Sequence, residues 1–333
     1  EQPHETTDET MAEAAQEAAR AGIKEWLGLA LLMLPTLLLA VDFTVLHLAL
    51  PHLAIDLQAS SIQQLWILDI YGFMIAGFLI TMGTLGDRIG RRRLLMIGAG
   101  AFGIASIVAA YSTTAEMLLV ARALLGIFGA TLMPSTLSLI SNMFHNAKER
   151  TVAISIWMMS FSGGAVLGPA VGGTLLEFFW WGSVFLLGVP IMTLLLVLAP
   201  LLLPEYRGEQ AGRLDPISVI LSLVAILATI YGMKELAGGG RFVTSFLFLL
   251  AGLVFGWWFI KRQLALREPL LDLQLFRNKF FSASLSIMLL GTIVQGGYVL
   301  LFAQYLQMIA GLSPLEAGMW MIPLSVGSII GSV

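Results

Sequence analysis

Cysteine is absent from the 333 residues, which excludes disulfides, thiolate metal sites and thiol chemistry. Histidine is scarce: His4, His47, His52 and His145 are the four, and none stands at an HExxH-type spacing. Charge is scarce as well. Asp, Glu, Lys and Arg make up 12% of the chain, about half the share of a soluble domain. No GxxxxGK run followed by Ser or Thr appears, so ATP is not indicated. Strand-type alternation is missing too, which excludes a β-barrel. What is present is apolar: 58% of residues are AVILMFWYC, and the mean hydropathy is +0.87. A membrane-crossing helix takes about 20 mostly apolar residues, so about ten helices would use the apolar inventory. The composition rules out a soluble enzyme, a nucleic-acid-binding module and a disordered chain. It leaves an all-α integral membrane protein. Glycine, at 34 residues, suits close helix packing in lipid.

Residues 1–25 are polar, acidic and Ala-rich, and lack the apolar core of a secretory signal. They read as a polar cytoplasmic tail, with Met11 to Trp26 able to form an amphipathic surface helix. Beyond them the pattern predicts spans near 26–51, 64–86, 93–112, 116–141, 151–175, 182–203, 215–235, 243–261, 280–309 and 315–333. With the N-terminus inside, the inner segments hold 15 Lys and Arg residues and the outer ones only Lys234 and Arg241, the remaining one being Arg122 within a span. That asymmetry supports both the number of spans and a cytoplasmic N-terminus. The chain stops within an apolar run, IPLSVGSIIGSV, from which further helices are expected to follow.

Three charges fall at depths where lipid-facing residues are apolar: Asp42, Asp69 and Arg122. Each costs about 2.5–3.5 kcal/mol near a helix centre, so such residues face a water-filled cavity or one another. At about 1.5 Å of rise per residue, they lie roughly 8–13 Å below the outer surface, at similar levels. An Asp–Arg contact is therefore possible. Burial disfavours an ionised carboxyl and a neighbouring guanidinium favours it. A carboxyl balanced between the two takes a proton or a cationic ligand, but not both comfortably. The alternative is a buried ion pair that only fixes helix packing. His47 lies about 140° round the helix from Asp42, so the two do not share a face. It reads as a packing histidine, with a proton relay as the alternative.

Two further patterns stand out. Between the second and third spans, Gly83, Asp87, Arg88, Gly90, Arg91, Arg92 and Arg93 form a short loop. A basic topogenic loop accounts for the arginines but not for Gly83, Asp87 and Gly90 together. The glycines permit a tight turn, and Asp87 can cap a helix or pair with Arg to latch two helix ends. In the fifth span Gly164, Gly168 and Gly172 are four apart, with Pro169 and Gly173 beside them. That spacing makes a smooth stripe for close helix approach, and Pro169 invites a bend. The stripe reads as generic packing or as a hinge sealing one side of a transport path.

These segments resemble the major facilitator superfamily, and within it the 14-helix drug:H⁺ antiporter branch, from about Trp26 to Val333. The Gly83–Arg93 loop matches the superfamily's signature loop. Asp42 to Pro51 is similar to the branch's first-helix motif, with His47 where Asn is usual. Arg122 to Gly126 resembles the fourth-helix motif, with Leu125 where Gln is frequent. Gly164 to Gly173 is similar to the antiporter motif tied to export. Trp66 to Tyr71, and the segment from Gln304 to Gly318, are also similar to the branch.

The resemblance implies a major facilitator fold of two six-helix bundles with two inserted helices. The expected division is a first bundle over 26–203, the inserted pair over 204–264 and the start of a second bundle over 265–333. It implies a proton-coupled exporter of lipophilic cationic drugs and biocides in a bacterial cytoplasmic membrane. Such a protein is monomeric, binds no nucleic acid, is not an enzyme, and needs no cofactor beyond the proton gradient. Asp42, Asp69 and Arg122 are the expected coupling residues. Phe43, Trp66, Tyr71, Gln295 and Tyr298 are the candidate cavity groups, since aromatic faces attract organic cations. Two rivals stand beside this reading: a symporter or uniporter of another small solute on the same fold, and a non-transporting receptor or scaffold. The second gives no reason for three charges at matched depth.

Overall fold

The computed structural model of the protein describes residues 20–208, 215–237 and 241–312, together with Glu316, Trp320 and Pro323. Among the described residues every regular element is helical. In chain order they are α1 (Ile23–Asp56), α2 (Ser61–Ile89), α3 (Arg91–Ala110), α4 (Ala115–Met143), α5 (Ala147–Phe178), α6 (Ser183–Leu186), α7 (Gly188–Leu202), α8 (Pro216–Ala237), α9 (Phe242–Ala265) and α10 (Lys279–Gln304). A 3₁₀ turn, Leu273–Arg277, precedes α10, and a π turn, Tyr305–Ile309, follows it. Helices satisfy their own backbone groups, which is what a lipid environment without water demands. Among the described residues, eight stretches are long and apolar enough to cross a membrane: α1 to α5, α6 with α7, α8 and α9. Lys279–Val294 of α10 adds a shorter apolar stretch.

The expected spans and the observed helices agree except at particular points. The sixth is interrupted at Leu187, leaving α6 as a single short turn before α7. The ninth stops as an α-helix at Gln304. The tenth, 315–333, lies outside the described residues apart from Glu316, Trp320 and Pro323, and residues 1–19 lie outside them entirely. Helix starts are set by local chemistry. The Ser60 hydroxyl accepts from Gln63 N while the Gln63 side chain accepts from Ser60 N, a reciprocal capping box. Thr114, Asn146 and Asn278 cap α4, α5 and α10 with a side-chain oxygen that accepts from the first-turn N–H groups, each contributing about 1 kcal/mol.

Small residues decide which helices meet. α1 packs along α5 through the glycine stripe. A Cβ at Gly164 would strike the Leu37 carbonyl and come within 2.8 Å of Ala40 Cβ; at Gly168 it would overlap Thr44, and at Gly172 it would reach Val45 at 2.9 Å. Gly173 faces open space and takes no part. On α4, Gly126 rests on α2 so closely that a Cβ would come within 2.6 Å of Met74 Cβ. Dispersion between backbones at such distances drives association where lipid is as apolar as leucine.

At one end of the bundle the arginine-rich turn is clamped to the chain that follows α7. Gly90 adopts φ of +110°, a conformation natural to glycine, and a Cβ there would meet the Glu205 carboxylate at 2.5 Å. Arg91 N donates to Tyr206 O at 2.8 Å, Gly208 N to Asp87 O at 2.9 Å, and Arg92 Nη1 to Leu203 O at 2.8 Å. Asp87 does not cap α3, because Gly90 occupies the N-cap position. It accepts instead from Arg91, whose Nη2 lies 2.6 Å from its Oδ1. Gly83 meets only Pro134, at an ordinary 3.9 Å.

The α8–α9 hairpin lies against α2, and its base at this same end is a polar knot. Arg262 Nε and Nη2 donate to the two Asp215 oxygens at 2.5 and 3.0 Å. Ser218 Oγ donates to Asp215 Oδ2, and buried Gln263 donates to Ser218 and accepts from Leu270 N at 2.6 Å. Thr84 of α2 donates to the Leu270 carbonyl at 3.3 Å, tying the knot to the bundle. The Arg262 hydrogen bond, assisted by Ser218, outweighs partial burial and holds the Asp215 carboxyl well below the usual carboxylate range.

Two predictions follow from this packing. Gly168→Val, which forces Thr44 and α1 away from α5, lowers the thermal midpoint of the purified chain. A cost of about 1–3 kcal/mol is expected, and Gly173→Val, on the open face, serves as the control that leaves the midpoint unchanged. Asp215→Asn costs on the order of 1 kcal/mol at neutral pH. Because the folded-state affinity of Asp215 for protons is depressed, its contribution is present above the ordinary carboxyl range. It is lost only as pH falls through the lower folded value. Parent and variant melts recorded from pH 7 downward therefore stay separated to about pH 4 and converge only below it.

Candidate functional site

Arg122 extends from α4 into the junction of α1 and α2. Its Nη1 donates to Asp42 Oδ2 at 2.8 Å and its Nε to the Ile67 carbonyl at 3.2 Å. The guanidinium carbon stands 4.4 Å from the centroid of the Tyr71 ring, and Phe185 adds a more distant face at 6.0 Å. Only 1% of the Arg122 side chain is exposed, against 12% of Asp42. One carboxylate, one carbonyl and one aromatic face thus hold a charge that water does not reach. The position follows from the neighbouring residue choices. Gly126, one turn on from Arg122, lets α4 approach α2 closely enough for the guanidinium to reach Ile67. Thr44, two residues from Asp42, bonds the carbonyls of Ala40 and Val41 and presents its side chain to Gly168. α1 therefore carries its charge toward α4 and its close packing toward α5 within one helical turn.

Asp69 is not part of this pair. Two residues beyond Ile67, it lies on the other side of α2 and faces α8, where it forms an ion pair with Lys234. Both side chains are more open than the first pair, at 38% and 32% exposed. The Lys234 Nζ lies 5.5 Å from the Trp66 ring centroid and 5.4 Å from that of Phe73. Trp66 stacks on Tyr231 at 5.7 Å and 20°, and Tyr231 packs on Phe248 of α9 at 4.4 Å. Sequence reasoning missed Lys234. Lys234 falls in the last turn of the predicted 215–235 span and its charge is counted there with the outer segment, whereas α8 continues to Ala237 and places Lys234 on the helix beside Asp69. The available signal was a lysine preceded one turn earlier by an aromatic, Tyr231, in a segment otherwise free of basic residues.

The remaining candidates divide. Phe43 is partly exposed, with its ring edge-on to Tyr71 at 4.9 Å and against Gly72. Tyr71 itself is fully buried, so it meets Arg122 rather than an open cavity. Trp66 is half-buried in the cluster around Lys234. Tyr298 is exposed and stacks on Phe302 of its own helix at 5.5 Å. His47, on the same helix as Asp42, is exposed and makes no hydrogen bond to the Asp42–Arg122 pair. The side chains of Gln295 and Pro169 lie outside the described residues. Among the described residues no group of three or more His, Cys, Asp or Glu is placed to hold a metal ion.

Residues 32–333 match the Major Facilitator Superfamily. The chain is 45% identical over 324 residues to the multidrug efflux pump LfrA of Mycolicibacterium smegmatis, covering 97% of this chain and 64% of that protein. It is 41% identical over 307 residues to the methyl viologen resistance protein SmvA of Salmonella typhimurium, covering 92% of this chain and 62% of that protein. The chain thus spans a little under two thirds of the length of these relatives. In fold it is similar to the crystal structure of the peptide transporter POT in complex with sulfate, at a TM-score of 0.58 and 20% identity, over 91% of this chain and 68% of that one.

Removing one partner of the buried pair strands the other. Arg122→Leu is expected to cost about 3–5 kcal/mol, and the double variant Asp42→Asn with Arg122→Leu to cost less than Arg122→Leu alone. Thermal melts of the four proteins in one detergent measure this; a double variant no more stable than Arg122→Leu contradicts it.

Proposed function

We propose, for a chain that belongs to the Major Facilitator Superfamily, that it forms the larger part of a proton-coupled exporter of lipophilic organic cations. The observation that carries this reading is the sealed contact of Asp42 with Arg122, on a helix that also bears the tightest glycine packing. The similarity to LfrA and SmvA supports the choice of drugs and biocides as substrates.

In this mechanism Asp42 takes a proton from the outer side and releases it inward. Arg122 sets the proton affinity of Asp42, because the guanidinium stabilises the charged carboxylate and burial opposes it. Protonation removes the charge that Arg122 pairs with, and α1 transmits the change to its Thr44 contact with Gly168. Asp69, in its aromatic surroundings, takes the cation. Proton and drug change each other's affinity reciprocally, as any coupled pair of sites must. One proton crossing about 100 mV supplies about 2.3 kcal/mol, enough to sustain a gradient of tens-fold. No cofactor beyond the proton gradient is invoked, and one chain suffices. Residues 26–203 form the first bundle, 204–264 the inserted pair and 265–333 the opening of a second bundle. The N-terminus is cytoplasmic and the membrane is the bacterial inner membrane, since 15 of the Lys and Arg residues then lie inside and 2 outside.

The test is substrate-induced proton release in proteoliposomes of the full-length protein. The parent releases protons when a quaternary ammonium drug is added. Asp42→Asn abolishes release, and Asp69→Asn weakens the response to cations while leaving proton exchange at Asp42 in place. Release that persists in Asp42→Asn contradicts the reading.

A further inference from the structure

Lys234 occupies a position whose chemistry suits a different guest. Its ammonium group stands beside the Asp69 carboxylate and within 5.5 Å of the faces of two rings, Trp66 and Phe73. A carboxylate with aromatic faces around it is the arrangement that recognises an organic cation. The protein's own side chain fills it. The ammonium nitrogen of Lys234 is itself covered, while Asp69 keeps 38% of its side chain exposed, so the cluster is approached from the carboxylate side. It is also built rather than incidental. Tyr231, one turn before Lys234, stacks on Trp66 from α8, and Phe248 of α9 backs Tyr231, so the aromatic wall spans three helices. The Asp42 pair contrasts at each point: it is sealed, and its cation is a guanidinium fixed by a backbone carbonyl. The Lys234 ammonium makes no hydrogen bond to a backbone carbonyl, and its long stem allows the head group to swing aside.

We propose that Lys234 is a tethered competitor for an organic-cation subsite made by Asp69, Trp66 and Phe73, and that it sets which cations the subsite admits. The proposal rests on the export reading and adds a specificity-determining residue to it. A lysine carried on the neighbouring helix acts at the millimolar effective concentration of a short tether. A free monovalent cation must displace it, so its apparent affinity is reduced by the fraction of time that the site stands open. Cations with large aromatic or alkyl surface gain more from the rings than the compact, strongly hydrated ammonium does, and they are the ones that succeed. Weakly lipophilic cations are turned away.

Binding of tetraphenylphosphonium to the full-length protein in nanodiscs, measured by equilibrium dialysis, tests this. Lys234→Gln is expected to bind the phosphonium about tenfold more tightly than the parent, as expected when a competitor that holds the site for about nine-tenths of the time is removed. Lys234→Arg, which keeps the charge, stays close to the parent. In the pair Lys234→Gln with Asp69→Asn the gain disappears, so the two effects are not additive. Lys234→Met, which keeps the apolar stem, provides a second neutral variant should the glutamine variant fold poorly. Equal or weaker binding by a well-folded neutral variant overturns the competitor role while leaving the export reading intact. A gain that survives Asp69→Asn also overturns it. Absence of phosphonium binding to every form, parent included, overturns the export reading together with this one.

Discussion

A guanidinium cannot remain in a helix interface without an anion, and this constraint organises the first bundle. Arg122 is sealed from water and is met by Asp42 at 2.8 Å, by the Ile67 carbonyl and by the Tyr71 ring. To supply all three, α1, α2 and α4 must converge at one level. The small residues provide that convergence. Gly126 brings α4 onto α2, and the glycine stripe of α5 holds α1 from its far side. The pair contributes little net stability once the cost of desolvating both ions is counted. What it contributes is position: a single carboxylate fixed where protonation changes the charge balance of three helices at once.

Beyond that pair, α2 also anchors α8 and α9. The α8–α9 hairpin touches α2 near both ends, through Asp69 and Lys234 at one and through Thr84 and the Leu270 carbonyl at the other. The Asp215–Arg262 knot locks the base of the hairpin into a fixed shape, so its attachment is that of a unit. The arginine-rich turn is likewise held by backbone hydrogen bonds to residues 203–208, and the Gly90 conformation makes room for Glu205. Polar contacts are thus concentrated at helix ends, where water weakens them, while the interior is assembled from close van der Waals contact.

Much of this was legible in the sequence, for a physical reason. Long apolar runs in lipid have one outcome, a helix, and the described residues hold those helices. An intramembrane charge calls for a partner, so the meeting of Asp42 and Arg122 was foreseeable from their matched depth. The partners of Asp69 and Tyr71 were not. Depth along a helix can be counted from residues, but the direction a side chain faces depends on rotation about the axis and on which neighbour arrives there. Asp69 and Ile67 differ by two residues and so face opposite neighbours, α8 and α4. Lys234 sits in the last turn of its predicted span, where its charge counts as an outer one, and only the packing of α8 on α2 brings it to Asp69.

The two carboxylates place one residue type in two environments, and the proposed division of tasks rests on that difference. Asp42 is enclosed by Arg122, Tyr71 and the packed face of α5, so only a guest that needs no volume, a proton, reaches it without separating helices. Asp69 stands at a partly open wall of rings that a bulky cation can approach. Exchanging the residues themselves would change nothing, because both are aspartates; what differs is the cation each one faces and how firmly that cation is anchored. Arg122 is held by a carbonyl and a ring in addition to its carboxylate, whereas Lys234 is held by a charge and aromatic faces that a lipophilic organic cation can engage in its place. The asymmetry in anchoring, rather than in residue type, is what supports the proposed division into a proton site at Asp42 and a cation site at Asp69.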